Sequence, residues 1–177
     1  VPGRGAARAV RAAKELLKRG VTDFRLAIAG RGDGCATENG LPDCAVFLGD
    51  VSPERMLAHY RAAKAVAVFP GGDYGENAMP ALEAMACARA VIACGEGAFG
   101  DIIDDGVNGF LVPVEDPAAA ADAIARVLDM DEGAYLALGK NARKTVEERY
   151  GHRRHAKRYV EVLEACYRET TSPKKAR

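Results

Sequence analysis

Tryptophan is missing from this chain of 177 residues, and all aromatics together make up 6% of it. So few rings cannot build the stacking platform on which single-stranded nucleic acids are held. An excess of charge of one sign is missing too. Lys and Arg number 25 and Asp and Glu number 25, so no global field draws the protein onto a polyanion. No apolar run approaches the roughly 18 residues that a membrane-spanning helix needs. The first residues do not read as a secretory leader either, so the expected compartment is the cytoplasm. They also lack an initiating Met: Val1-Pro2-Gly3 reads as the interior of a longer protein.

Cysteine is sparse and unpatterned. Cys35, Cys44, Cys87, Cys94 and Cys166 are odd in number and contain no C-x-x-C pair. They read as reduced thiols, with Cys87 and Cys94 in apolar surroundings, and their spacing does not fit a zinc site. His59, His152 and His155 lie in helix-forming, charged stretches, and nothing sets a Ser–His–Asp relay beside them.

What is present is ordinary globular material, 49% apolar, enough for one core in one domain over residues 1–177. Ala9, Val10, Ala13, Leu16 and Leu17 mark one face of a helix over Gly5 to Arg19, stopped by Gly20. Short apolar runs at Phe24–Ala29, Ala45–Leu48, Ala65–Phe69, Ala90–Cys94 and Gly109–Val112 read as strands. Helices are expected between them: one opened by Ser52-Pro53-Glu54, one over Met79–Ala88, and a short one over Asp101–Asp105. From Asp116-Pro117 onward the pattern is helical only, in three segments, ending in a basic tail. The alternation predicts an α/β fold, a Rossmann-like parallel sheet with helices on both faces, followed by C-terminal helices. Ligands of such sheets bind past the carboxyl ends of the strands.

The segment from Tyr74 to Cys87 lies at such an end. A strand closes in Pro70-Gly71-Gly72, a glycine-rich acidic loop follows, and a helix opens near Pro80. Free N–H groups at a helix start attract phosphate. Glu76 and Glu83 bracket that start, and a carboxylate accepts hydrogen bonds from neighbouring sugar hydroxyls. Phosphate beside hydroxyl-binding carboxylates is the chemistry of a sugar nucleotide.

Arg4-Gly5, Leu26 to Gly30, Phe47 to Ser52, Tyr60 to Ala63, Glu83 to Cys87, Asp105 to Pro113 and Asp116-Pro117 follow one another along the chain. In that order these phrases resemble the C-terminal, donor-binding domain of retaining glycosyltransferases of the GT-B fold. The resemblance implies a nucleotide-diphosphate sugar as substrate, transfer to a hydroxyl acceptor (a glycan, a lipid or a small molecule), and no obligatory cofactor or metal. Glu83 matches the later glutamate of the family's E-x7-E pattern and would hold the ribose hydroxyls. Counted strictly, the earlier one falls on Gly75. Either Glu76 takes its place on the donor sugar, as the catalytic assignment adopted here, or the sugar contact is altered; Asp73 is a lesser candidate. Arg4, with Gly5, matches the basic diphosphate contact. Asn77, Ala78, Met79, Pro80 and Leu82 fall in the donor-contact segment, and Val51 falls where the nucleobase meets backbone. Ala88-Arg89-Ala90 departs from the family's glycine–x–proline turn, which puts that turn in question.

The resemblance further implies that a first, central strand and an N-terminal acceptor domain precede Val1, the latter being the natural partner of this domain. Without that strand the sheet is expected to have two extra edges. Two rival readings use the same fold: a nucleotide-sugar epimerase and a non-catalytic flavodoxin-like interaction module. The basic cluster Arg153, Arg154, Lys157 and Arg158 admits peripheral membrane contact, although Glu161 and Glu164 make it read foremost as a solvated helix face.

Overall fold

A computed structural model describes residues 4–30, 40–69, 78–95 and 97–171. The elements run α1 (Arg4–Lys18), β1 (Leu26–Ala29), β2 (Ala45–Gly49), α2 (Pro53–Ala62), β3 (Ala65–Val68), α3 (Met79–Ala86), β4 (Ala90–Cys94), α4 (Ala98–Ile102) and β5 (Phe110–Val112), then α5 (Pro117–Leu128), α6 (Glu132–Arg149) and α7 (His152–Thr171). Every strand pair is parallel, so each connection crosses over with a helix or long loop, as the alternating sequence requires.

The centre of the molecule is β4. All five of its residues are fully buried, and their alternation assigns the two faces. Val91 and Ala93 meet Tyr60 of α2, Ala81, Ala84 and Met85 of α3, and Phe99, Ile102 and Ile103. Ala90 and Ile92 meet Ala12 of α1 and Ala120, Ala123 and Val127 of α5 on the other side. This is the pattern of a parallel strand covered on both faces. Helix α1 lies along α5, where Arg8 and Arg11 both reach Glu115 at 2.6 and 3.1 Å and Arg19 reaches Asp122. The paired guanidiniums hold the Glu115 carboxyl below its usual range, chiefly through the hydrogen bond from Arg8.

The strands form two sheets where the alternation alone predicts one. β1 pairs only with β2, in the register Leu26↔Ala45 to Ala29↔Gly49, while β3-β4-β5 form the second sheet. Among the described residues no strand joins the two sheets. Ala27 and Ala67, at the middle of those two strands, are exposed, whereas the residues of β4 are not.

Two turns fix how the helices leave the second sheet. Asn108 is 1% exposed. Its Oδ1 accepts from Asp104 N at 2.8 Å, and its Nδ2 donates to Ile102 O at 3.2 Å and Thr145 Oγ1 at 3.0 Å. It thereby ties the 104–109 turn to α6. The short helix α4 starts at Ala98, three residues earlier than the acidic residues predict; Phe99, Ile102 and Ile103 are buried there, and the chain is extended again from Ile103. The second turn follows α3. Ala88 N donates to Met85 O and Arg89 N to Ala84 O, which is the Schellman arrangement. Ala88 takes φ 55° there. The turn questioned by the sequence therefore forms, with alanine in the left-handed position that glycine favours.

Helix α7 departs from the rest. Every described side chain from His152 to Arg168 is exposed, including Tyr159, Val160, Val162, Leu163 and Tyr167. No helix among the described residues is long and apolar enough to cross a membrane.

Candidate functional site

The carboxyl end of β3 and the start of α3 define the site. β3 ends at Val68 and Phe69 follows it half-buried, beside β4. Residues 70–77, which include Asp73, Gly75, Glu76 and Asn77, lie outside the described residues. The chain returns at Ala78, the N-cap of α3, with φ −76° and ψ −6° and no side-chain hydrogen bond to the first turn. A methyl group cannot cap a helix, and Pro80 has no N–H to be capped. The start of α3 therefore carries no capping acceptor of its own, and no acidic residue occupies its first turn. A helix start carries a partial positive charge that favours an anion. Met79 stands 56% exposed at this end.

One turn further in, Glu83 is exposed, while its neighbours Ala84 and Met85 are fully buried in the core. Leu82, placed by the resemblance in the donor-contact segment, is partly buried and packs against the core beneath α3. The Glu83 carboxylate is not left to wander. The Tyr60 hydroxyl, from the last turn of α2, donates to Glu83 Oε2 at 3.0 Å. Burial, first, and then the adjacent Glu83 carboxylate push the Tyr60 phenol well above its usual range. It therefore stays protonated and remains a donor.

The remaining candidates sit at other strand and helix ends. Val51 is half-buried just beyond β2, immediately before Ser52, whose hydroxyl accepts from Arg55 N to cap α2. Gly5 is in the first turn of α1, and Arg4 opens that helix. The Arg4 side chain lies outside what is described. One turn along the same helix, Arg8 borders a shallow depression with Phe69, Pro113 and Glu115. That places a cation beside the residue that follows β3. Tyr60 and Arg8 are the two site neighbours that sequence reading did not single out. Four-residue spacing from Arg4 could have found Arg8; no local signal links Tyr60 to Glu83. No group of three or more acidic, His or Cys side chains is arranged to hold a metal ion among the described residues.

Known proteins resemble this chain in sequence and fold. The sequence model described as "Glycosyl transferases group 1" matches residues 2–130. The D-inositol 3-phosphate glycosyltransferase of Acidothermus cellulolyticus is 32% identical over 189 residues, an alignment covering 98% of this chain and 40% of that protein. The chain thus spans well under half the length of that curated relative. Among solved structures, the C-terminal domain of the group 1 glycosyltransferase LpcC from Francisella tularensis is 26% identical with a TM-score of 0.68, covering 84% of this chain and 80% of that domain. Anabaena HepE, solved with UDP and glucose, is 17% identical with a TM-score of 0.68, covering 88% of this chain and 52% of that one; at that identity the likeness speaks for the fold alone.

Proposed function

The chain belongs to the group 1 glycosyltransferases, and from that premise we propose that it is the donor-binding domain of a retaining enzyme that uses a nucleotide-diphosphate sugar. The observation that carries this reading is a helix start, that of α3, past the end of a parallel strand, with an exposed carboxylate, Glu83, one turn beyond it. An amide-rich helix start suits a diphosphate, and the carboxylate suits the adjacent pair of ribose hydroxyls.

In this reading Glu83 accepts from the ribose, backbone around Val51 meets the base, and the segment Asn77–Pro80 lines the diphosphate. Arg4 and the amides there stabilise the nucleotide diphosphate as it leaves and its charge develops. Glu76 orients the donor sugar, and the acceptor hydroxyl attacks the face from which the diphosphate departs. The A. cellulolyticus relative is named for an inositol phosphate acceptor, a small polyol within the acceptor class proposed. The reading also expects a strand between β1 and β3, supplied by polypeptide upstream of Arg4, and an acceptor domain beyond it.

The test is calorimetric titration of the full-length protein carrying this chain with UDP, GDP and ADP, beside its Glu83→Ala variant. One nucleotide should bind saturably and lose at least about tenfold in affinity in the variant, as expected when a charged acceptor of two hydroxyls is removed. A folded full-length protein that binds none of the three would overturn the reading in favour of an interaction module.

A further inference from the structure

An exposed glutamate on a helix is a poor instrument for recognising a sugar unless something holds it. Its side chain has three rotatable bonds, and a ligand that must immobilise them loses affinity in doing so. Here the immobilising contact already exists. Tyr60 is 9% exposed and packs in the core formed with Ala81, Ala84 and Met85, so its ring is fixed by its surroundings. Its hydroxyl reaches the rim of that core and donates to Glu83 Oε2 at 3.0 Å. Among the described residues the Glu83 carboxylate has no other partner.

The choice of a phenol matters. A carboxylate offers about four acceptor positions, and one hydroxyl occupies only one of them. A guanidinium in the same place would take both oxygens at once and neutralise the charge. Tyr60 fixes the orientation and leaves Oε1 and the full negative charge to the ligand. The bond also links two parts of the candidate site. Ser52, the residue after Val51, caps helix α2, and Tyr60 lies in its last turn, so one rigid element sets the base-side backbone and the carboxylate at a constant separation.

We propose that Tyr60 is a positioning residue that holds the Glu83 carboxylate in the orientation needed to accept the ribose hydroxyls of the nucleotide. This rests on the donor-site reading given above. It extends that reading to a residue that need not touch the ligand.

The experiment measures dissociation constants of the full-length protein for the preferred nucleoside diphosphate and its 2′,3′-dideoxy analogue. Wild type, Tyr60→Phe, Glu83→Ala and the double variant are compared. Tyr60→Phe keeps the ring and removes only the hydroxyl. It should weaken the ribonucleotide about three- to tenfold, the range of one hydrogen bond, and leave the dideoxy analogue unchanged. In the Glu83→Ala background it should change neither. Equal weakening of both ligands by Tyr60→Phe, including through partial unfolding, would make the residue merely structural and overturn the inference. So would a Tyr60→Phe protein that keeps full ribose discrimination while Glu83→Ala loses it; the donor reading would then survive alone. A wild-type protein that binds both ligands alike would overturn the role of Glu83 itself, and the inference with it.

Discussion

At its C-terminal end α3 is sealed by a backbone turn and close steric contact, while at its N-terminal end the N-cap side chain, that of Ala78, makes no capping bond. The closing turn uses Ala88 N and Arg89 N to satisfy Met85 O and Ala84 O, and it accepts a left-handed alanine to do so. Gly139 of α6 lies so close that a Cβ there would stand 2.5 Å from Ala88 O. The opening turn has no side-chain cap, a proline in place of one donor, and an exposed methionine. A helix anchored by backbone and steric contacts at one end can present the other end in a constant place. Strain is concentrated where the helix is gripped, away from the end where a ligand would be.

The sharpest way to break this contrast is Gly139→Ala. The obstacle is backbone oxygen, which cannot swing aside, so α3 and α6 must separate. A loss of about 3 kcal/mol is expected, at the upper end of overpacking costs, read from the midpoint of urea unfolding. A loss below about 1 kcal/mol would mean that the two helices are not locked together. Ala78→Asp attacks the N-terminal end instead. The new carboxylate should repel a diphosphate and weaken nucleotide binding about tenfold, or ~1.4 kcal/mol, while stability does not fall, since an acid is favourable at a helix start. Unchanged binding would move the phosphates away from this helix end. The smallest effect belongs to Ala88→Gly. Left-handed alanine costs about 1–2 kcal/mol and glycine returns about 0.5–1 kcal/mol of that in lost entropy. The net expectation is a gain of about 0.5–1 kcal/mol in unfolding free energy, with nucleotide affinity unaltered.

Much of the architecture could be read from local pattern. The bounds of β4 follow from an unbroken apolar run of five residues. The caps of α2 and α5 follow from Ser52-Pro53 and Asp116-Pro117, and Asp116 Oδ1 accepts from Ala118 N and Ala119 N as such a cap should. Features that depend on distant partners were not legible in local pattern. The separation of β1-β2 from β3-β4-β5 is a matter of which strands become neighbours; periodicity within a strand does not encode its neighbour, and only the resemblance, through the central strand it implies, led to an expectation of extra sheet edges. Helix α4 begins at Ala98 because buried Phe99 and Ile102 outweigh the acidic residues that mark a later start. For the candidate site, the opening of a helix near Pro80, with Glu83 one turn inside it, was legible in sequence. The Tyr60–Glu83 bond spans 23 residues and two helices, so nothing local could announce it.

The burial of Asn108 has a consequence for the lifetime of the molecule. Asn108 precedes Gly109, and in a loose chain an unhindered glycine nitrogen readily attacks the neighbouring amide carbon, closing a succinimide and expelling ammonia. Folding removes that freedom, because both ends of the amide are engaged by Asp104, Ile102 and Thr145. The reaction is then confined to moments of opening, and each one risks a covalent scar that refolding does not erase. Covalent ageing at this bond would accumulate with time spent unfolded, so the same three contacts that set a turn also keep the chain chemically young.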